Sequence, residues 1–224
     1  MEQRRDSATA YIILADGFET IEALTPLDVL RRCGVEVTTI SLKKTRSVRS
    51  SHGVTVEADA TMEDFMHNCN CCASAIGTGN AGTSSSAGSS TTASSANTTA
   101  GSCLRQALIL PGGYPGYKNL CDSPEVGALI TQFHKEGKLL CAICGAPTAL
   151  KANQICRGAA ITCHTSVKEE LSDYYSILSS AVVKYMNIIT GMGAGRSLDF
   201  AFAIAEALTS KEKVEEIKAK MEII

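Results

Sequence analysis

The stretch from Lys138 to Leu150, K-L-L-C-A-I-C-G-A-P-T-A-L, constrains the fold more than any other part of the chain. Leu139 to Ile143 is short and wholly apolar, which is typical of a strand buried on both faces of a sheet. Two small residues and Pro147 then suit a tight turn that leads into a helix. This pattern predicts that Cys144 lies at a sharp strand-to-helix turn, where a helix N-terminus would favour its thiolate and make it a candidate nucleophile. A buried structural cysteine is the alternative.

Strand-like and helix-like segments alternate along the rest of the chain. Such alternation predicts an α/β fold with a mostly parallel central sheet and helices on both faces. The length of 224 residues is consistent with one domain spanning residues 1–224. Strands are expected at 9–15, 35–42, 106–110, 139–143 and 159–163, and a basic loop at 43–51. Helices are expected from Thr25–Pro26 to Cys33 and at 124–135, 197–208 and 211–221.

One segment does not follow this pattern. From about residue 68 to 103 the chain consists mainly of Ser, Thr, Ala, Gly and Asn and has almost no charge. Such a composition cannot bury enough apolar surface to offset the entropy lost on ordering. We therefore predict a disordered insertion within the single domain, because the part that precedes it is too short to be a complete domain.

Composition excludes several classes of function. The net charge of −2 provides no basic surface, so nucleic acid is not expected as a partner. No apolar run approaches the ~20 residues of a membrane-spanning helix, so no membrane association is expected. The charged N-terminus lacks the apolar region of a signal peptide. We therefore expect a cytoplasmic protein whose ten cysteines are mainly reduced thiols.

Two C-x-x-C spacings raise the question of a metal or dithiol site. Cys69 and Cys72 lie in the polar insertion, with no second pair at zinc-finger spacing. Cys141 falls inside the predicted strand, so it is not expected to share a helical turn with Cys144. We predict neither a metal site nor a catalytic dithiol.

Reactive or glycine residues follow four separate predicted strands. They are Glu22, Gly112–Gly113, Cys144 and His164. Because ligands of parallel α/β sheets bind at the carboxyl ends of the strands, we expect these residues to converge on one edge. This convergence is the strongest functional pattern in the sequence.

The predicted edge combines groups that a thiol nucleophile requires. Backbone N–H groups of Gly113 and Gly145 would stabilise a developing oxyanion beside Cys144. Either Glu22 or Glu19 would transfer the proton, and His164 would be able to do the same. Each of these side chains also has an ordinary structural explanation, such as a helix-terminal acid.

Several runs of the sequence resemble one known family. The runs A-D-G-F-E-T-I-E, L-I-L-P-G-G, A-I-C-G-A-P-T-A-L and F-A-F-A-I-A-E-A-L are similar in order and spacing to the parkinsonism-associated deglycase branch of the ThiJ/PfpI superfamily. The resemblance implies a flavodoxin-like three-layer sandwich and a homodimer. It assigns the nucleophile to Cys144, the essential acid to Glu22 rather than Glu19, and a dimer-interface role to Arg32. It also matches His164 and the Gly112–Gly113 turn to site positions.

The resemblance implies a glyoxalase or deglycase that needs no cofactor or metal. Its substrates would be methylglyoxal, glyoxal or their early adducts on proteins. The alternative is a sensor of oxidative stress or a redox-regulated chaperone in which Cys144 is oxidised to a sulfinate. A cysteine peptidase or amidase is less well supported, because Gly145 occupies the position at which peptidase relatives carry a histidine. The order Gly145–Ala146 also reverses the usual order of this branch.

Overall fold

The computed structural model describes residues 8–68 and 106–223. The strands are β1 (Thr9–Leu14), β2 (Glu36–Ser41), β3 (Ser47–Arg49), β4 (Thr55–Glu57), β5 (Ala60–Thr61), β6 (Gln106–Leu110), β7 (Leu139–Ile143), β8 (Ala160–Ile161), β9 (Ser176–Ile177), β10 (Val182–Tyr185) and β11 (Ile188–Gly191). The α-helices are α1 (Thr20–Arg32), α2 (Met62–Asn68), α3 (Gly116–Asp122), α4 (Pro124–Lys135), α5 (Pro147–Ala152), α6 (Lys168–Ser172), α7 (Ser197–Leu208) and α8 (Lys211–Lys220).

A seven-stranded sheet forms the centre of the molecule, with the order β10-β11-β7-β6-β1-β2-β5. All its pairings are parallel except that of β10 with β11. After β1 the chain first builds β2 and β5 on one side, and later builds β6, β7 and β11 on the other. The connections after β1 and β6 therefore diverge, and this is the point at which open α/β sheets bind ligands.

Two apolar cores lie on the two faces of this sheet. Neighbouring strand residues alternate between them, as with Leu108 and Ile109, because successive side chains point to opposite faces. One core is covered by α1, α7 and α8, and the other by α2 to α6. The expected flavodoxin-like sandwich, with a mostly parallel sheet between helical layers, is confirmed.

Local sequence patterns predicted several elements to the residue. The strands 106–110 and 139–143 and the helices 124–135 and 197–208 have the expected bounds. For α4 the reason is visible, since the Ser123 hydroxyl accepts a hydrogen bond from the N–H of Val126 and Pro124 occupies the first turn. The predicted insertion lies largely outside the described residues.

Three local predictions were wrong. The first helix begins at Thr20, so Pro26 lies within α1 instead of starting it. The segment 43–51 was predicted as a loop but contains β3, which pairs with β4. The expected strand 159–163 is only the two-residue β8, which pairs with β9 outside the main sheet. In each case, tertiary packing outweighs a weak local signal.

Candidate functional site

Cys144 immediately follows β7 in a strained backbone conformation. Its φ is 65°, a left-handed value that is uncommon outside glycine. Its N–H donates to the Gly191 carbonyl at 3.0 Å, and its own carbonyl accepts the N–H of His164 at 2.9 Å. These two bonds fix the turn on both sides. This arrangement resembles a nucleophile elbow, in which strain exposes the reactive atom at the sheet edge.

Glu22 reaches Cys144 from the first turn of α1. Its side chain is completely buried, and its Oε2 accepts the N–H of Gly112 at 2.8 Å. The thiol of Cys144 hydrogen-bonds the same carboxyl group. Oε1 is also buried and has no hydrogen-bond partner among residues 8–68 and 106–223. The carboxyl group therefore retains the capacity for a proton or a substrate hydroxyl.

The turn after β6 packs against both of these side chains and leaves no room for larger residues. A Cβ at Gly112 would lie 2.6 Å from Glu22 Oε2 and 2.7 Å from Cys144 Cβ. At Gly113, φ is +89° and a Cβ would collide with the backbone of Phe18 and Glu19. Glycine is required at Gly112 because the two side chains of the pair approach the backbone there, and at Gly113 because the turn after β1 does.

Burial and mutual charge determine the protonation of the pair. Desolvation raises the pKa of Glu22 to about 7, although the Gly112 N–H opposes this shift. Burial, and then the charge of Glu22, raise the pKa of Cys144 to about 12, while the N–H groups of Gly113 and Gly145 lower it. The helix N-terminus was expected to lower the pKa of the Cys144 thiol. Beside an ionised Glu22, this pKa is raised instead. The helix in question, α5, has only six residues.

The two expected oxyanion donors both reach the sulfur of Cys144. The N–H groups of Gly113 and Gly145 hydrogen-bond it. A Cβ at Gly145 would lie 2.7 Å from the Tyr117 ring, so this ring fills the space above the turn. The reversed Gly145–Ala146 order thus leaves the backbone donor of Gly145 in place.

His164 lies at the rim of the site and is solvent-exposed. Its Nδ1 accepts the N–H of Ser166 at 3.2 Å and lies 2.8 Å from the Ser166 hydroxyl. The neutral ring therefore carries its proton on Nε2 and is a donor from that atom. This arrangement favours His164 as a hydrogen-bond donor rather than as a base.

A cavity of about 590 Å³ opens beside Cys144. It is lined by four of the expected residues: Glu22, Gly113, Cys144 and His164. The cavity is also lined by Glu19, which local pattern offered as the alternative to Glu22, and by residues 192–196, to which the sequence assigned no role. The glycine-rich run before α7 is the sequence feature that could have indicated this wall of the cavity.

Arg32 and the other cysteines lie elsewhere. Arg32 is exposed on α1 and forms a 2.8 Å ion pair with Asp28, one turn earlier. Cys141 is fully buried within β7, where desolvation raises its pKa, so it does not face the cavity. The six cysteines at described positions are free thiols: Cys33, Cys121, Cys141, Cys144, Cys156 and Cys163. The Cys69–Cys72 spacing lies outside the described residues.

The part of the chain that the structure describes contains neither a membrane-spanning helix nor a cluster of metal ligands. None of the helices in these ranges has both the length and the apolar character needed to cross a membrane. In the same ranges, no three His, Cys, Asp or Glu side chains group closely enough to hold a metal ion.

Comparison with known proteins finds relatives that align with most of the chain. Over 214 residues the chain is 31% identical to the Parkinson disease protein 7 homolog of Danio rerio, an alignment that covers 95% of each. It is 38% identical over 107 residues to the glutathione-independent glyoxalase DJR-1.2 of Caenorhabditis elegans. This alignment covers 47% of this chain and 56% of that protein. The crystal structure of Drosophila melanogaster DJ-1beta matches with a TM-score of 0.78 and 30% identity, covering 97% of this chain and 99% of that chain.

A family model extends the agreement to most of the sequence. The model of the DJ-1/PfpI family matches residues 8–207, from the first residue of the described fold to near the end of α7. The match includes Glu22, the Gly112–Gly113 turn, Cys144 and His164. Sequence, fold and family model together establish that the chain belongs to the DJ-1/PfpI family.

Proposed function

We propose that the protein is a glutathione-independent glyoxalase that acts on methylglyoxal, glyoxal or their early adducts on proteins. The observation that carries the proposal is the buried Glu22 carboxyl group, hydrogen-bonded to the Cys144 thiol beside the N–H groups of Gly113 and Gly145. The pair can form a nucleophile and a proton shuttle, and the two N–H groups can stabilise an oxyanion. A relative named as a glutathione-independent glyoxalase supports this choice.

In the first step, the sulfur of Cys144 attacks the aldehyde carbon. The thiol proton passes to the ionised carboxylate of Glu22, which a pKa of about 7 allows near neutral pH. The carbonyl oxygen becomes a hemithioacetal oxygen, which the N–H groups of Gly113 and Gly145 would stabilise. No external reductant or oxidant is needed, because the thiol adds across the C=O bond.

In the second step, a proton moves from the former aldehyde carbon to the neighbouring carbonyl carbon. Glu22 first gives the thiol proton to the hemithioacetal oxygen, so its carboxylate is free again. It would then take the C–H proton and deliver it to the neighbouring carbon, while the hydroxyl proton passes to the former ketone oxygen. The Nε2–H of His164 would donate to a substrate oxygen during this transfer. The product is a 2-hydroxy acid thioester on Cys144, which water hydrolyses to the free acid and the thiol. The net reaction adds one water to methylglyoxal and gives lactate.

The direct test is lactate production by the purified full chain from methylglyoxal without glutathione. We expect D-lactate to accumulate over many turnovers. Loss of methylglyoxal without lactate would contradict the proposal, because simple trapping by thiols gives an adduct and no acid. Deglycase activity requires that a glycated peptide lose its adduct in the presence of the protein faster than the adduct releases free aldehyde on its own.

A rise of activity with pH is expected from the coupled pair. Below about pH 7, Glu22 is protonated and cannot take the thiol proton; above it, the pair holds one proton and is active. We therefore expect kcat/KM for methylglyoxal to rise with pH through about 7, measured with an overlapping series of buffers at constant ionic strength. A profile that falls through this range would assign the active form to the doubly protonated pair.

The same pair supports oxidation sensing as a second candidate function. Peroxide would oxidise the Cys144 thiol to a sulfenic acid and would itself be reduced to water. A second equivalent of peroxide would give the sulfinate. A protonated Glu22 would donate a hydrogen bond to a sulfinate oxygen in the position where the thiol now lies. Retention of peroxide sensitivity without any lactate formation would favour this function.

We also propose a homodimer formed through the outer face of α1. Leu30 and Cys33, at the end of α1, are buried within the chain in the core that α1 shares with α7, so they do not form this outer face. The solvent-exposed face of α1 carries a stripe of residues at helical spacing. It includes Ile21, which is 47% exposed, and the exposed pair Asp28 and Arg32. The family resemblance places Arg32 at this interface.

Light scattering in solution tests the dimer. At micromolar concentration we expect twice the mass of one chain. Arg32→Glu should shift the mass towards the monomer with unchanged circular dichroism, because within one chain an exposed pair with Asp28 contributes little to stability. A monomeric parent protein would refute the dimer.

A further inference from the structure

Arg196 introduces a positive charge into the wall of the candidate active site. It ends the 3₁₀ turn Ala194–Arg196 that precedes α7, and it lines the same cavity as Cys144. Among the described residues that line this cavity, it is the only lysine or arginine. The proposed reaction of methylglyoxal, a neutral aldehyde, assigns no role to this charge.

The guanidinium group of Arg196 is only loosely held by the protein. Its one described ion pair is with Asp199, at 3.6 Å, where a charge-assisted hydrogen bond is about 2.7–2.9 Å long. The Arg196 side chain is 58% exposed. Because guanidinium carries five N–H donors, Arg196 retains capacity for a planar anion such as a carboxylate.

The other ionisable groups in the wall are already engaged. Glu19 accepts a hydrogen bond from the Ser51 hydroxyl and lies 3.3 Å from His52 Nδ1. Glu22 is buried against Gly112, and His164 is bound to Ser166 at Nδ1. Both acids would repel an anion, and the Nε2–H of His164 is assigned to an oxygen at the reacting end of the substrate. Arg196 is therefore the side chain in this wall that is left to bind an anion at the far end.

The cavity also has room for more than methylglyoxal. Its volume of about 590 Å³ falls in the range of about 300–1,000 Å³ that accommodates drug-sized ligands. A three-carbon aldehyde bound at Cys144 leaves space for a longer chain to extend towards other parts of the wall, including Arg196.

We propose that Arg196 is a specificity-determining residue that favours 2-oxoaldehydes with a carboxylate at the far end of the chain. This inference rests on the proposed glyoxalase function and names the preferred substrate class. The chemistry at Cys144 is the same as for methylglyoxal, and the distal carboxylate takes no part in bond making. For 4,5-dioxopentanoate, addition of one water gives 2-hydroxypentanedioate, so atoms and electrons balance without a co-reactant.

The test compares kcat/KM for 4,5-dioxopentanoate with kcat/KM for methylglyoxal. Arg196→Gln should lower this ratio about tenfold, mainly through KM of the anionic substrate, as expected for loss of one partly exposed charged contact. Arg196→Lys should retain an intermediate ratio, and Asp199→Asn should raise it by removing the competing carboxylate. The matched control is Arg157→Gln, an exposed arginine outside the cavity that stacks on Tyr174. An unchanged ratio in Arg196→Gln would overturn the inference.

A binding measurement separates this inference from the proposed function. The Cys144→Ser variant is titrated by NMR with 4-oxopentanoate, which has the carboxylate but no aldehyde, and with neutral 2-pentanone. Binding of the anion that is lost in Cys144→Ser/Arg196→Gln supports the anion site, even if the parent protein does not turn over methylglyoxal. Equal binding of both compounds, or binding independent of Arg196, refutes the site even if methylglyoxal is a substrate.

Discussion

Replacing Glu22 by glutamine is expected to lower methylglyoxal turnover at least about a hundredfold, the effect typical of losing a general acid–base group. The amide oxygen of glutamine can still accept the N–H of Gly112, so the local fold is retained. Removing the charge of Glu22 also removes one cause of the raised pKa of Cys144. Alkylation of Cys144 by iodoacetamide near neutral pH should therefore persist or become faster. Lactate formed at saturating methylglyoxal is the measure of turnover.

Two further variants make this experiment decisive. Cys144→Ser should lose both alkylation at this position and turnover. Glu19→Gln should lose neither, because the Glu19 carboxylate is held by Ser51 and His52. If Glu22→Gln turned over methylglyoxal at the parent rate while Cys144→Ser was inactive, His164 would be the proton shuttle and the role proposed for Glu22 would be wrong.

Gly112→Ala is expected to abolish most activity and to destabilise the fold by about 1–3 kcal/mol, as overpacking does. The added methyl group would lie 2.6 Å from Glu22 Oε2, 2.7 Å from Cys144 Cβ and 3.1 Å from Cys144 Sγ. One of these groups must move, so the thiol and the carboxyl separate. The measurements are lactate formation and urea unfolding.

The matched control for Gly112→Ala lies in the same cavity. Gly195 also lines it, but a Cβ there meets nothing within 4 Å. Gly195→Ala should therefore change the free energy of unfolding by no more than about 0.5 kcal/mol. Equal effects of the two substitutions would show that the close approach at Gly112 is not what holds the pair together.

Much of the candidate site could be predicted because it follows short, strongly patterned strands. The wholly apolar runs of β6 and β7 define their own ends, and glycines or a cysteine follow at once. Parallel pairing then brings Gly112–Gly113 and Cys144 to one edge. The family resemblance identified Glu22 over Glu19, which local pattern alone had left open.

Other features depend on contacts that no local pattern contains. Thr25–Pro26 resembles a helix start, yet α1 begins at Thr20, so that Glu22 lies in its first turn and is buried against the β6 turn. The pKa of Cys144 is raised because burial and the charge of Glu22 exceed the effect of nearby N–H groups. Arg196 lies in the wall because the turn before α7 lines the same cavity as Cys144.

The burial of Glu22 also sets a trade-off between stability and activity. Its pKa is about 7 in the folded chain, against an ordinary value of 4.5, so its stabilising contribution is present below pH 4.5 and lost as pH rises through 7. The loss amounts to about 3 kcal/mol. Urea unfolding at pH 5 and pH 8 should therefore show a larger fall in stability for the parent than for Glu22→Gln, which does not ionise. The stabilising contribution of Glu22 is therefore absent in the pH range where this proposed shuttle is ready to accept a proton, and a gain in stability at this position would come with a loss of catalysis.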